Sequence, residues 1–416
     1  MLLEFVVKNF RSLRDETALS LVASADKSLL DTNAVKTGVS GLPYALRVAA
    51  VYGANASGKS NLVRAIQLMR GIVQQSANLQ PDQPLNIQPF KLDPQTAGEP
   101  TVFEITFLRE GVRYQYGFKL TASRIWGEWL LVYKHPRPQQ WFSREWDPVS
   151  GEESYEFGSF FSGQRRVWQS ATKANSLYLS VAAQLNSELL TDVYRWITES
   201  LVIFENGGVP PADTTLSRIK AESAKGAVTF LGEADISISN IAIEEQQGFQ
   251  AQVTLDLATG KMNNTREERT ILVPKFTHTS ASASAVFDFP DESEGTRKLF
   301  SLYGPLADIF ENGKILIVDE LDRSLHALLV RQIVLLFQDP EINRHGAQLI
   351  LTTHDTSLLD SDLLRRDQIW FTEKDQSQAS CLFPLSQFQA RKNEAFEKGY
   401  LEGRYGAIPI LRRLKV

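Results

Sequence analysis

The chain has almost no cysteine, little histidine and no strong net charge. Cys381 is the only cysteine among 416 residues, which excludes an intramolecular disulfide framework and fits a reducing compartment. Five histidines, with no C-x-x-C or H-E-x-x-H spacing, argue against a zinc site. A net charge of −5 excludes nucleic-acid binding by bulk electrostatics, so any such site has to be a local basic patch.

Long apolar runs are also missing. No stretch approaches the roughly 20 residues of a membrane-spanning helix, and the N-terminus, MLLEFVVKNFRSLRDE, lacks the apolar core of a signal peptide. We therefore expect a cytoplasmic protein without a membrane partner. The length allows two or three domain-sized units, or one large α/β core with an insertion.

The most informative segment that is present covers residues 48–61. An apolar run typical of a buried strand ends at Gly53, and residues 53–60 read G-x-x-x-x-G-K-S before an amphipathic helical pattern. This is a P-loop, whose backbone N–H groups and helix dipole bind phosphates. Lys59 is expected to neutralise the β- and γ-phosphates, and Ser60 to bind Mg²⁺. The predicted nucleotide-binding residues of the loop are Asn55, Ala56, Ser57, Gly58, Lys59, Ser60 and Asn61.

A second apolar segment, residues 315–318 (ILIV), ends in Asp319 and Glu320. An all-apolar run of this length predicts a strand buried on both faces, and the carboxyl end of such a strand is where these sheets bind ligands. In a P-loop protein this is the Walker B position. Asp319 is therefore a predicted Mg²⁺ ligand opposite Ser60, and Glu320 is the predicted general base for the attacking water.

Two further segments lie at informative places. Residues 349–355 (LILTTHD) form another apolar run that ends at His354, where an imidazole can reach a γ-phosphate and the attacking water. Residues 293–296 (SEGT) precede a helical pattern, and a helix N-terminus with small and hydroxyl-bearing residues can bind an anion. The alternatives are a core histidine at His354 and an ordinary helix N-cap at residues 293–296.

Hydrophobic patterns predict how the rest of the chain is organised. They predict a hairpin at 1–22, turns at 24–46, a connector at 78–88, a meander at 101–108 and 113–120, helices at 175–205 and 213–232, and strands at 238–257 and 272–278. We predict three parts: 1–123 with the P-loop and the meander, an insertion at 124–232, and 233–416 with the remaining motifs.

Residues 124–170 contain five of the seven tryptophans, interleaved with arginines and lysines. Aromatic side chains among basic ones can form a stacking surface for single-stranded nucleic acid. The alternative, which we favour, is that Trp126 and Trp129 belong to a sheet core and that the others line a polar connector.

The order of the motifs resembles that of ABC-type ATPase heads, the branch that includes the SMC, RecF and OLD proteins. Within it the chain is similar to the AAA-family ATPases of abortive-infection and restriction-linked loci, the RloA/AbiL-type group. The matching segments are KNFRS at 8–12, the P-loop, DELDRSLH at 319–326, TTHD at 352–355 and GYLEGRYGAIP at 399–409. Two departures stand out: SEGT replaces the LSGGQ of transporter ATPases, and no sustained heptads indicate the coiled coil of SMC proteins.

The resemblance implies ATP and Mg²⁺ as ligands and an α/β P-loop NTPase fold of ABC-ATPase type. That fold has a mixed central sheet with helices on both faces, an antiparallel β subdomain and a helical insertion. It also implies a homodimer, or a higher oligomer, in which two heads enclose the nucleotide. Ser293 and Gly295 of one subunit would then contact the γ-phosphate held by Lys59 of the other. Gln88 is the candidate for the glutamine that senses Mg²⁺.

The resemblance further implies that the ATPase is a nucleotide-dependent sensor or regulator of a partner protein. Its partner would be a separately encoded, nuclease-like effector in bacterial anti-phage defence. Two alternatives stay open at this point: a RecF- or SMC-like DNA-binding ATPase of repair or recombination, and an ATP-gated scaffold that barely hydrolyses ATP.

Overall fold

The computed structural model describes residues 1–134, 137–205, 210–255, 262–388 and 395–409, and for 249–255 and 262–269 only the backbone. The chain divides into two compact units, Met1–Gly208 with Ile309–Val416, and Val209–Asp308. No helix in the described ranges has both the length and the apolar character needed to cross a membrane.

The strands are β1 (Leu2–Lys8), β2 (Thr17–Ser20), β3 (Ala34–Val39), β4 (Leu42–Leu46), β5 (Val48–Gly53), β6 (Thr101–Arg109), β7 (Val112–Leu120), β8 (Ile125–Tyr133), β9 (Gln139–Trp146), β10 (Glu153–Phe157), β11 (Leu201–Phe204), β12 (Asn240–Leu255), β13 (Met262–Thr279), β14 (Ser284–Asp288), β15 (Ile315–Val318), β16 (Gln348–Thr352), β17 (Ile369–Lys374) and β18 (Ser380–Pro384). The helices are α1 (Leu30–Asn33), α2 (Lys59–Gln75), α3 (Arg165–Ala171), α4 (Tyr178–Gln184), α5 (Glu188–Ser200), α6 (Asp213–Ala221), α7 (Lys225–Glu233), α8 (Glu294–Asn312), α9 (Ala327–Gln338) and α10 (Phe396–Leu401).

A six-stranded sheet in the order β11-β15-β16-β5-β17-β18 forms the centre of the first unit. Its first five strands are parallel, and β18 pairs antiparallel with β17. All residues of β5, β15 and β16 are buried, which is why the sequence shows continuous apolar runs there. Alternate residues of a strand face opposite sides of its sheet. Ala49 and Val51 of β5 belong to the apolar cluster that contains Leu62 of α2, whereas Ala50, between them, does not. The helix α9 also contacts β5. The predicted α/β fold, with a mixed sheet and helices on both faces, is confirmed.

A seven-stranded antiparallel sheet, in the order β10-β9-β8-β7-β6-β1-β2, forms the second layer of this unit. The predicted hairpin at 1–22 and the predicted meander are therefore present as β1–β2 and β6–β7. Because β8, β9 and β10 extend the same sheet, the boundary predicted at residue 123 falls inside it. The second compact unit is Val209–Asp308 rather than 124–232.

An irregularity in strand pairing explains why the alternation of β9 was not visible in the sequence. The register shifts between Leu130, which pairs with Phe142, and Leu131, which pairs with Gln140. Trp141 is thus an extra residue in β9, and both Trp141 and Phe142 are buried. Two consecutive buried residues break the alternation by which a strand is recognised.

The tryptophans of this region have the opposite burial to the one expected. Trp141 and Trp168 lie in the core, at 3% and 4% exposure, whereas Trp126 and Trp129 are only half-buried. The indole N–H of Trp129 donates to Glu104 at 2.7 Å. The Arg124 guanidinium has its partners inside the region, since it lies 4.0 Å above the Trp146 ring and pairs with Glu153.

The helical part of the predicted insertion is divided between the two units. The helix predicted at 175–205 is α4 and α5, separated where the Ser187 hydroxyl accepts from the Leu190 N–H at 3.4 Å. The last residues of the predicted helix, Leu201–Phe204, form β11, an edge strand of the central sheet. The helix predicted at 213–232 is α6 and α7, and the segment predicted as turns at 24–46 contains the β3–β4 hairpin.

Glu128 is a fully buried carboxylate that connects the antiparallel sheet to α4. It accepts hydrogen bonds from the N–H groups of Tyr178 at 2.6 Å and Leu179 at 2.9 Å, and from the Tyr116 hydroxyl at 3.0 Å. Burial raises the pKa of Glu128, while the Arg144 guanidinium, 4.0 Å away, acts in the opposite direction. The carboxylate therefore caps the N-terminus of a helix that is distant in sequence.

We expect Glu128→Ala to lower the free energy of unfolding by about 3 kcal/mol, because it leaves two helix N–H groups buried without a partner and removes one of the two carboxylates near Arg144, the other being Glu153. Glu128→Gln keeps an acceptor oxygen and should cost about half as much. Chemical denaturation measures both, with Glu199→Ala on the exposed face of α5 as the control. Equal stability of wild type and Glu128→Ala would contradict the capping role.

Candidate functional site

Three parallel strands of the central sheet end at the same edge. Val318 of β15 pairs with Leu351 of β16, and Thr352 of β16 pairs with Val51 of β5. This register brings together the segments that follow the three strands, namely Asp319-Glu320, His354 and the P-loop. The carboxyl edge of a parallel sheet is the usual ligand site of such folds.

A cavity of about 310 Å³ opens at this edge. Its size is within the range of small-ligand pockets. The residues that line it include every P-loop residue predicted to bind nucleotide, together with Glu320 and His354. The full lining is Ser12, Asn55, Ala56, Ser57, Gly58, Lys59, Ser60, Asn61, Arg64, Glu320, His354 and Lys374.

The two glycines of the loop are required by its conformation and by what lies behind it. Gly58 has a φ of 120°, which other residues rarely adopt, and a Cβ there would overlap the side chain of Ser380. A Cβ at Gly53 would overlap Thr372 of the neighbouring strand β17. The loop is therefore curled tightly against β17 and β18.

Hydroxyl groups join this loop to two distant segments of the chain. The Ser57 and Thr372 hydroxyls are 2.6 Å apart, and the Ser380 hydroxyl lies 2.6 Å from the Ser57 carbonyl and 2.7 Å from the Ser12 hydroxyl. The Asn61 amide also donates to Ser12 at 2.7 Å. Sequence reasoning missed Thr372 and Ser380, because the segment around them has no pattern that indicates a site.

Lys59 is buried at 6% exposure, and its ammonium donates to the carbonyl oxygens of Gly53 at 2.8 Å and Ala54 at 3.2 Å. An ammonium has three N–H groups, so one remains for a ligand. Burial lowers the pKa of Lys59, and the carboxylates of Asp319 and Glu320 oppose that shift. The lysine is thus held in place by the backbone of its own loop.

Thr352 holds the two acidic residues of the site. Its fully buried hydroxyl donates to Asp319 Oδ1 at 2.7 Å and accepts from the Glu320 N–H at 2.8 Å. Glu320 has a φ of 56°, a left-handed conformation that is costly for a residue with a side chain. The hydrogen bond from its N–H stabilises that conformation. Thr352 is a further residue that sequence reasoning missed, although it lies in the same TTHD segment as His354.

His354 is exposed at the mouth of the cavity, and its backbone N–H lies 3.4 Å from Asp322 Oδ2. Partial desolvation lowers the pKa of His354, and the charge of Lys59 lowers it further, while Asp322 has the opposite effect. The shift favours a neutral imidazole, which can donate through one nitrogen and accept through the other.

Ser293 and Gly295 belong to the second unit. The Ser293 hydroxyl accepts from the Thr296 N–H at 3.1 Å and lies 2.8 Å from the Thr296 hydroxyl. Ser293 therefore has the contacts of an N-cap of α8, with Gly295 in the first turn. The contact of these two residues with nucleotide stays a prediction.

Gln88 lies beside a neighbouring cavity of about 530 Å³, which it lines together with Arg11 and Arg64. Its carbonyl oxygen accepts from the Arg11 N–H at 2.8 Å, and its side chain is exposed. It is not among the residues that line the P-loop cavity. Its role as a Mg²⁺ ligand stays a prediction.

The C-terminal segment of the described chain supports the P-loop strand. The rings of Tyr400 and Tyr405 stack on Phe371 of β17 at 5.4 Å and 5.7 Å, and Tyr400 also lies 5.8 Å from Tyr52 of β5. The Ala407 N–H donates to the Glu373 carboxylate at 3.1 Å. The sequence segment GYLEGRYGAIP therefore packs against the two strands beside the loop.

The residues present fit a nucleoside triphosphate with a magnesium ion. The loop is curled so tightly that a Cβ would overlap neighbouring side chains at Gly53 and Gly58, and Lys59 keeps an N–H for a phosphate oxygen. The hydroxyl of Ser60 and the carboxylate of Asp319 are oxygen donors of the kind that Mg²⁺ prefers.

We expect Thr352→Val to lower the free energy of unfolding by about 1–3 kcal/mol, because Asp319 Oδ1 and the Glu320 N–H would both lose a buried partner. Thr352→Ser, which keeps the hydroxyl, is the matched control and should lose less. Urea denaturation of the three proteins measures the difference. A valine variant as stable as the serine variant would show that the hydroxyl contributes nothing.

Comparison with solved structures found folds similar to this chain. The SMC head domain from Thermotoga maritima is 14% identical, covers 92% of this chain and 98% of its own, and has a TM-score of 0.40. An SMC head bound to the C-terminal winged-helix domain of ScpA is 14% identical, covers 92% and 97%, and has a TM-score of 0.35. Scores this low carry no argument about function. A search of curated proteins found no match.

A family profile gives the decisive comparison. The family described as "AAA domain, putative AbiEii toxin, Type IV TA system" matches residues 48–360, which include the P-loop, the Asp319-Glu320 pair and His354. Because the match covers most of the chain, the chain belongs to this family of AAA-domain proteins.

Proposed function

We propose that the chain binds ATP with Mg²⁺ and hydrolyses it to ADP and phosphate. The observation that carries the proposal is that Lys59, Ser60, Glu320 and His354 line one cavity. Asp319 is connected to this group by the Thr352 hydroxyl, which hydrogen-bonds to both Asp319 and Glu320. A lysine, a hydroxyl and two adjacent carboxylates are the groups that phosphoryl transfer to water requires.

The P-loop residues would bind and orient the triphosphate. Backbone N–H groups at 55–60 and the N-terminus of α2 would surround the β-phosphate, and the free N–H of Lys59 would contact the β- and γ-phosphates. Ser60 and Asp319 would hold the magnesium ion, which neutralises charge on the phosphates as the bond breaks. The Thr352 hydroxyl fixes the orientation of Asp319 for this task.

Glu320 would act as the general base. It lines the cavity at the edge of β15, and the Thr352 hydroxyl fixes its backbone. From there its carboxylate would accept a proton from the water that attacks the γ-phosphate. His354, in its neutral form, would orient the same water or hydrogen-bond to the γ-phosphate oxygen.

A second copy of the chain would complete the site. In this proposal Ser293 and Gly295, at the N-terminus of α8, contact the γ-phosphate bound by the partner copy. The support for it is the 19-residue α8, whose N-terminus carries a serine cap and a glycine in its first turn. Such an N-terminus favours an anion. ATP would then control the association of two heads.

We further propose that this ATPase acts in anti-phage defence as a nucleotide-dependent sensor or regulator of a separately encoded, nuclease-like effector. The support is the family description, whose words are "putative AbiEii toxin, Type IV TA system". The DNA-repair alternative has less support. It drew on the tryptophan- and arginine-rich stretch, in which Trp141 is buried and Arg124 is paired within the same sheet.

We expect Glu320→Gln to lower ATP turnover at least about 100-fold while ATP binding persists, because the amide cannot accept the proton. The variant should accumulate as an ATP-bound dimer. Phosphate release, equilibrium binding of ATP and light scattering measure the three properties. Glu341→Gln, at an exposed position away from the cavity, is the control. Turnover at the wild-type rate would remove Glu320 from the role of base.

For the proposed biological role, we expect Lys59→Ala to abolish protection against phage when the chain is expressed with its flanking genes in a bacterial host. The substitution removes the ammonium that would hold the phosphates. Plaque counts measure protection, and Lys36→Ala, an exposed lysine of β3, is the matched control. Full protection by Lys59→Ala at the wild-type protein level would separate defence from ATP binding.

A further inference from the structure

We propose that Arg64 and Lys374 are two additional phosphate-binding residues of the P-loop cavity and that they set its affinity for nucleotide. The inference rests on the proposed binding of ATP. Both side chains line the 310 Å³ cavity together with residues 55–61. The sequence motifs assign a role to neither.

The position of Lys374 follows from the order of the strands. The Walker B strand β15 and the strand before His354, β16, lie on one side of β5, whereas β17 lies on the other. Thr372 of β17 pairs with Gly53, so Lys374 at the end of this strand lies beside the P-loop. The lysine therefore enters the cavity from the side opposite to Asp319 and Glu320.

The position of Arg64 follows from the helix. Arg64 is four residues after Ser60 in α2, which places the two side chains on the same helix face. It also lines the 530 Å³ cavity, as do Arg11 and Glu205. Burial and the charge of Arg64 both lower the pKa of Arg11, so the two guanidinium groups repel each other.

The charges around the cavity show why additional cations are needed. Asp319, Glu320 and Asp322 all act electrostatically on Lys59, the cation of the P-loop. A triphosphate brings more negative charge than one magnesium ion cancels. Additional positive charge on the phosphate side would balance it.

Arg64 and Lys374 are available for this role. Among the described residues, neither forms an ion pair or a side-chain hydrogen bond, whereas Arg331 and Arg365 are both paired with aspartates. A charged side chain that lines a cavity without a partner can bind an anionic ligand without first breaking another contact.

The test is equilibrium binding of Mg·ATP and Mg·ADP to Lys374→Gln, Arg64→Gln and the double variant, each combined with Glu320→Gln so that ATP is not consumed. We expect each single substitution to raise the Kd roughly three- to tenfold. The double variant should lose more, and its Kd should depend less on salt, since fewer cations contact the phosphates. Lys36→Gln, at an exposed lysine that does not line the cavity, should leave the Kd unchanged.

Further variants and measurements separate the possible failures. Arg64→Lys keeps the charge and should restore most of the affinity. If it binds as weakly as Arg64→Gln, Arg64 acts through packing and its part of the inference is overturned. The Glu320→Gln protein and the same protein with Lys374→Gln should first be shown to have equal unfolding midpoints. If the two then have the same Kd for ATP, the proposed role of Lys374 is overturned. If the protein with all cations intact does not bind ATP, the proposed function itself fails.

Discussion

The parallel register of β15, β16 and β5 is the constraint on which the site depends. Val318 pairs with Leu351 and Thr352 with Val51, so three strands end at one edge, and the polar residues that follow them meet without any long loop. These strands are buried on both faces by apolar side chains, which fixes their positions with the rigidity of a packed core. A shift of one residue in β16 would carry the Thr352 hydroxyl away from Asp319 and Glu320.

Buried hydroxyl groups then position the charged residues. Thr352 holds the acidic pair, and a second set, Ser57, Thr372, Ser380 and Ser12, holds the P-loop against β17, β18 and the turn after β1. The side chains of serine and threonine are short, so each hydroxyl fixes its partner close to the backbone that carries it. Glu320 can therefore keep its left-handed conformation, which costs free energy for a residue with a side chain.

Sequence reasoning was most successful where function restricts the residue types. The P-loop strand, its helix, the strands at 315–318 and 348–352 and the hairpin at 1–22 are present as expected. The fold also brings together nine predicted site residues of the first unit. They are residues 55–61, Glu320 and His354, which all line the cavity. Reasoning failed where tertiary pairing overrides local pattern. The bulge that adds Trp141 to β9 hides the strand's alternation, and β11 reads as the end of a helix because four apolar residues fit either structure.

The sequence by itself determined which residues carry the proposed chemistry, because a G-x-x-x-x-G-K-S loop and an apolar strand that ends in Asp-Glu leave few other uses for those residues. Only the tertiary structure decided which distant groups support that chemistry. Thr352, Thr372 and Ser380 are common residues in unremarkable segments, and what distinguishes them is a hydrogen bond to a partner that strand pairing brings within 3 Å. The same pairing places Lys374 beside the P-loop, 315 residues along the chain from Lys59. The physical reason is that local sequence encodes the conformation of a segment, whereas its neighbours are chosen by the packing of the whole sheet.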